Sequence, residues 1–194
     1  MSRSPQTLSV EDRRVLAAWA ADCAEHVLPI FERTAPDDPR VRSAIDQARR
    51  FAEGDLDPAE AVRRRGGDAG ASARDASTPA AKAAAYAAEQ AAAVAHMGAH
   101  ALGAAGYAAK AVVLESDSDT DDNLVVRSTA RHLVAVAPVS AIRALSSLPA
   151  LGVNGSGPLG PGRLAMGHVG DTIREIQRLV DSDAARQDRG ELSG

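Results

Sequence analysis

Residues 78–114 read TPAAKAAAYAAEQAAAVAHMGAHALGAAGYAAKAVVL, and the reading of this stretch decides the fold. Thr78 is a natural N-cap and Pro79 takes the first helical position. Strong helix formers then run on with almost nothing that favours a strand. The stretch predicts one long, buried, alanine-rich central helix. Fully helical, it would extend roughly 55 Å at about 1.5 Å per residue, so Gly98, Gly103 and Gly106 mark points of bending or of close approach by a neighbour. Rotation by about 100° per residue puts Tyr86, Val94, Met97 and Val112 in one sector and Glu89, His96, His100 and Tyr107 in the next. An apolar stripe lies beside a histidine-bearing one.

On the N-terminal side, Ser9 followed by Glu11 and Asp12 is a helix start. Leu16, Trp19, Ala20, Cys23, Val27 and Ile30 then recur at helical spacing to about Glu32, with a bend expected near Pro29. Asp37-Asp38-Pro39 opens a second amphipathic helix, which carries Val41, Ala44, Ile45, Ala48 and Phe51 and ends at Gly54. Asp57-Pro58 repeats the device, but RRRGGDAGASARDAS loses the pattern, predicting a short helix and then a mobile loop. The basic run Arg63, Arg64 and Arg65 reads as a solvated helix end, since no aromatics interleave it to stack on bases.

On the C-terminal side, the acidic linker SDSDTDDN at 116–123 is placed to cap a following helix. Leu124 to Ala137 and Val139 to Leu148 read as helices separated by Pro138, with the β-branched residues in LVV and LVAVAPV leaving a strand open for short pieces. GVNGSGPLGPG is a loop, and Ile173, Ile176, Leu179 and Val180 define a last amphipathic helix with a frayed tail from about Ser182. Gly155, Gly157 and Gly160 match G-x-G-x-x-G, but no strand precedes them and Pro158 and Pro161 stand where a helix should begin, so the dinucleotide reading is set aside. The expected architecture is an all-α helical bundle in a single domain spanning 1–194, with a core at 8–115, a helical extension at 116–181 and a tail at 182–194.

Composition narrows the functions available. A net charge of −4 and 3% aromatic content give no general attraction to nucleic acid or to anionic lipid, and no apolar run reads as a membrane span. The N-terminus has no signal-peptide h-region, so the expected location is cytoplasmic. Cys23, the single cysteine, sits mid-stripe as a small hydrophobe and leaves no intrachain disulfide or thiolate zinc site.

His96 and His100 stand one turn apart, as do Asp22 and His26 on the first helix, with Glu25 close by. Packing of the two helices would bring Asp22, His26, His96 and His100 together. Such a set admits three readings: polar groups that hydrogen-bond one another across a helix interface, a divalent metal site, or acid–base catalysis by candidates His26, His96, His100, Asp22 and Glu25. No cofactor is otherwise predicted, and a homodimer built on the alanine-rich helix is a further reading.

Two blocks carry a family resemblance. One is LAAWAADCAEHVLPIFE at 16–32 followed by APDDPRVRSAIDQARRFAEGDLDPAEA at 35–61, and the other is AAAVAHMGAHALGAAGYAAKAV at 91–112. Across about residues 8–114 the chain resembles the Imm5-like family of immunity proteins, small helical bacterial proteins often found in high-GC actinobacteria. The resemblance implies an intracellular helical protein that protects its producer from a toxin by binding it. Asp22, Glu25, His26, His96 and His100 fall within the shared motifs. The chain departs from the family pattern after Pro58 and again in the run from Leu124 to Gly162. These departures motivate an alternative, an enzyme or metal-dependent small-molecule binder of a specialised metabolite pathway with a His/Asp pocket between the first and long helices.

Overall fold

The computed structural model describes residues 4–64, 68–117 and 119–191. The architecture is all-α, with no strand among the described residues. The helices are α1 (Val10–Glu32), α2 (Arg40–Glu53), α3 (Pro58–Arg64), α4 (Ala69–Asp75), α5 (Pro79–Ala93), α6 (His100–Glu115), α7 (Asp122–Ala135), α8 (Val139–Ser146) and α9 (Gly167–Glu191), with a 3-10 turn at Arg163–Ala165.

The centre is a trio of mutually packed helices, α1, α5 and α6. α2 lies against α1 and α5, and α4 against α5 and α2. On the other side α9 packs on α6, α7 and α8. Alanine makes the trio possible: Ala81, Ala85, Ala87, Ala88 and Ala91 of α5 and Ala101, Ala104, Ala105 and Ala108 of α6 are completely buried. With so little side chain between them the backbones approach closely, and the large groups Trp19, Phe31, Phe51 and Leu102 fill what remains.

The stretch 78–114 is therefore two helices rather than one. α5 and α6 fold back on each other as a hairpin across the turn at 94–99. The groups that hold this break lie far away in sequence. The Gln6 and Thr7 carbonyls accept from the Ala99 and Gly98 amides at 3.1 and 3.2 Å, and the buried Arg13 guanidinium donates to the Ala95 carbonyl. These contacts replace hydrogen bonds that a continuous helix would have made internally. Gly98 admits the close approach, since a Cβ there would lie 2.9 Å from Leu8 Cδ1.

Caps expected from sequence form at the starts of α1, α5 and α7, whereas at α2 Pro39 takes the cap position with no side-chain cap bond. Ser9 Oγ accepts from the Asp12 amide at 3.0 Å, Thr78 Oγ1 from Ala81 at 3.1 Å and Asp121 Oδ1 from Asn123 at 2.9 Å. Gly54 ends α2 at φ 90°. α1 continues through Pro29 to Glu32. The segment expected to be a loop after α3 contains α4 instead, while residues 65–67, including Arg65 of the basic run, lie outside the described residues. α4 seats the fully buried Ala69 and Ala73 against α5, and polar contacts tie it to α2. Asp38 accepts from the Arg40 guanidinium at 2.7 and 2.9 Å and from the buried Ser72 hydroxyl at 2.9 Å, and Arg40 reaches on to Asp75 at 3.0 Å. α9 runs on to Glu191, past the point where fraying was expected, and residues 192–194 lie outside the described residues.

The glycine-rich loop, preceded by α8, closes over the N-terminal segment. Gln6 is fully buried, its Nε2 donating to the Ser156 carbonyl at 2.8 Å and its Oε1 accepting from the Leu159 amide at 2.9 Å. Gly157 (φ 81°) leaves no room for a Cβ over the Gln6 amide. Gln6→Ala should cost about 1–3 kcal/mol by leaving a buried amide and carbonyl unpaired, read as a shifted urea midpoint with an unchanged slope. No helix among the described residues is long and apolar enough to cross a membrane.

Candidate functional site

The most elaborate cleft lies where α5 and α6 meet the segment 157–169. It has two lobes that share Tyr86, Tyr107 and Arg163. The outer lobe, about 690 Å³, is walled by Lys82, Lys110, Leu114 and Met166. The inner lobe, about 290 Å³, ends at Glu89, Gln90 and His100.

Each side chain is positioned by the hairpin. Tyr86 of α5 and Tyr107 of α6 bring their rings to 5.2 Å between centroids. His100 opens α6, and its Nδ1 lies 2.9 Å from Gln90 Oε1 on α5. Because that oxygen only accepts, Nδ1 carries the proton and Nε2 keeps its lone pair. Gly103 makes room for the Gln90 side chain, since a Cβ there would come within 2.4 Å of Gln90 Oε1.

The electrostatics follow from partial desolvation. Burial, with His96 adding like charge, holds the His100 imidazole down at about 4, so it is neutral near pH 7. Burial raises the Glu89 carboxyl against the opposing pull of Arg74 and Arg163, and it raises the Tyr107 phenol as well. The cleft thus holds a neutral imidazole, a carboxylate of raised basicity and a phenol.

The four residues Asp22, His26, His96 and His100, expected to converge, do not form one site. Asp22, Glu25 and His26 line a separate groove of about 260 Å³ with Trp19, Cys23 and His132. There Asp22 and Glu25 are exposed and both pair with Arg49 of α2, Asp22 at 2.9 Å. The partner of His26 is His132 of α7, ring to ring at 5.2 Å. Burial and the neighbouring His132 both lower the His26 pKa. His96 falls in the turn, exposed, with its ring 6.5 Å from that of His100. No group of three or more His, Cys, Asp or Glu among the described residues is placed to hold a metal ion. The physical reason is the break at 94–99: a rotation carried through it as continuous helix loses phase, so His96 and His100 are not one turn apart on a common face.

Part of the polar stripe nevertheless gathers. Glu89, His100 and Tyr107 share the inner lobe, because the hairpin folds α6 back over the end of α5. Arg163 and the two lysines were missed, having no sequence spacing that ties them together. Of the remaining histidines, His132 joins His26 and His168 lies 3.4 Å from Asp122. Cys23 is fully buried and its thiol is pushed up by burial, as a packing residue requires.

Fold and cleft together define an all-α helical bundle with a polar, solvent-open cleft. More specifically, the chain belongs to the family described as Imm-5 like putative immunity protein, whose model matches residues 6–135. Searches of curated proteins and of solved structures gave no match. The family match runs beyond Leu114 and takes in α7. α7 lies on α6, and its Leu133 carbonyl accepts from the Trp19 indole at 2.9 Å. Family membership supports an immunity-type role.

Proposed function

We propose that this protein protects its producer by binding a bacterial toxin. The observation that carries this reading is the family match over residues 6–135, which spans the whole of α1 to α7. The outward groove between α1 and α7 suits protein recognition. It presents Asp22, Glu25, His26 and His132 together with Val136, which stands 56% exposed. Charged and apolar groups mixed at this density give a partner both register and buried area.

The test is co-expression with toxin domains encoded beside immunity genes of this family. Survival of the host, together with a complex that co-elutes in size-exclusion chromatography, is the expected result. Asp22→Arg combined with His26→Glu should weaken that complex by roughly tenfold or more, the equivalent of about 1.4 kcal/mol. If no such toxin is bound and no host is protected, the reading fails.

A further inference from the structure

The chain contains two lysines and two tyrosines, and all four line the same cleft. Lys82 and Tyr86 stand one turn apart on α5, and Tyr107 and Lys110 face them from α6. Elsewhere the cations are arginines, many of them tied to carboxylates, such as Arg49 on Asp22 and Glu25 or Arg178 on Glu175. In the cleft the side chains of Lys82, Lys110 and Arg163 make no ion pair or hydrogen bond among the described residues. Among the described residues the only carboxylate lining either lobe is Glu89, at the inner end. A protein of net charge −4 thus gathers three cations around two aromatic rings, with only Arg163 facing a carboxylate, the Glu89 of the inner lobe.

We propose that this cleft binds a small organic anion, a flat apolar body carrying one phosphate or carboxylate group. Lys82, Lys110 and Arg163 hold the anionic group. Each ammonium is a compact charge with three rotatable donors, so it adapts to either oxyanion, while Arg163 adds a planar fork. Tyr86, half-buried against Tyr107, supplies the face on which the flat body lies, and Met166, 69% exposed, closes over it as a soft wall. At the inner end Glu89 makes no hydrogen bond among the described residues and is free to accept one from a polar group on the ligand. Outer and inner lobes, at about 690 and 290 Å³, match the size of small-molecule sites.

The experiment is a calorimetric titration of the full chain at low ionic strength with phenyl phosphate, adenosine 5′-monophosphate and phenylacetate. Inorganic phosphate and benzyl alcohol serve as half-ligands. Saturable binding of at least one ring-bearing anion is expected, with a dissociation constant somewhere from roughly micromolar to millimolar. The phosphate and carboxylate arms report which oxyanion the cations prefer. Each half-ligand should bind roughly tenfold more weakly or not at all, and Lys82→Glu with Lys110→Glu should lose roughly tenfold or more. Tyr86→Ala should weaken ring-bearing ligands and leave the weak binding of inorganic phosphate unchanged. The milder pair Lys82→Gln and Lys110→Gln repeats the charge test if reversal disturbs folding, and Arg42→Glu on α2, where Arg42 pairs with Glu32 of α1, serves as a control outside the cleft. The proposal is overturned if none of the ring-bearing anions saturates, if inorganic phosphate alone binds as well as they do, or if binding survives both lysine pairs. No toxin enters this test, so its outcome is separate from that of the immunity reading.

Discussion

Trp19→Ala should lower stability by about 3–5 kcal/mol, a fall in Tm on the order of 10 °C for a chain of this size. Trp19 is 1% exposed, and it is the largest fully buried side chain. It stands in the middle of α1, the helix that touches α2, α5, α6 and α8 together. Alanine at this place leaves a void that the alanine-lined neighbours cannot collapse to fill, because their backbones are already close. A second cost is separable. The indole Nε1 donates to the Leu133 carbonyl at 2.9 Å, so Trp19→Phe keeps most of the ring volume and loses that bond. Phenylalanine should therefore cost about 1–3 kcal/mol, the cost of a buried acceptor left unpaired. Urea unfolding followed by circular dichroism measures both, since tryptophan emission is lost with the residue. A loss below about 1 kcal/mol for alanine would mean that α7 and α8 contribute little to holding α1.

The same residue shows what the sequence made legible. Leu16, Trp19, Cys23 and Val27 were readable as a buried face because a regular helix repeats its geometry every few residues, and all four are fully buried or nearly so. Ser9, Gly54, Thr78 and Asp121 were readable for a similar reason, since capping is decided within a few residues of the chain. The break in 78–114 had no such local signal. Alanine is equally content in one helix or two, and the groups that hold the turn open are Gln6, Thr7 and Arg13, more than eighty residues away. α4 was missed on the same grounds. Its helix buries Ala69 and Ala73 in packing on α5 and is tied by Asp38–Arg40–Asp75 and Asp38–Ser72 contacts, none of which sequence spacing announces.

For the candidate site the error and the partial success share a cause. Carrying one helical phase through residues 94–99 placed His96 beside His100 and aimed both at α1. The hairpin sends His96 to the surface and leaves His26 to meet His132, a residue whose place depends on how α7 docks. Glu89, His100 and Tyr107 still gather, because a hairpin brings the end of its first helix near the start of its second. Lys82, Lys110 and Arg163 illustrate the remainder. Their significance lies in facing one cavity from two helices and a loop, a relation that exists only after the chain has folded.

His100 should make the fold sensitive to mild acid. Its imidazole, ordinarily near 6.5, is held at about 4 in the folded protein by burial and by His96, while the unfolded chain protonates it normally. Above pH 6.5 both states carry a neutral ring and His100 contributes no pH dependence. Between pH 6.5 and about 4 the unfolded state binds the proton and the folded state does not, so stability falls as pH falls, by up to about 3 kcal/mol across the window. Below about pH 4 both states are protonated and the loss levels off. Glu89, in the same lobe, works in the opposite direction. Its raised pKa lets the folded state take up a proton first and so recovers some stability on acidification. The two contributions are separated by His100→Gln, which keeps a polar side chain beside Gln90 and does not titrate. Plotted as the difference between wild type and variant, urea-derived stability should slope downward from pH 6.5 towards pH 4 and be flat above. His26 is shifted in the same direction by burial and by His132, so wild type should retain a shallower slope after the His100 difference is subtracted. A flat difference curve would show that solvent reaches the imidazole as freely in the folded cleft as in the unfolded chain.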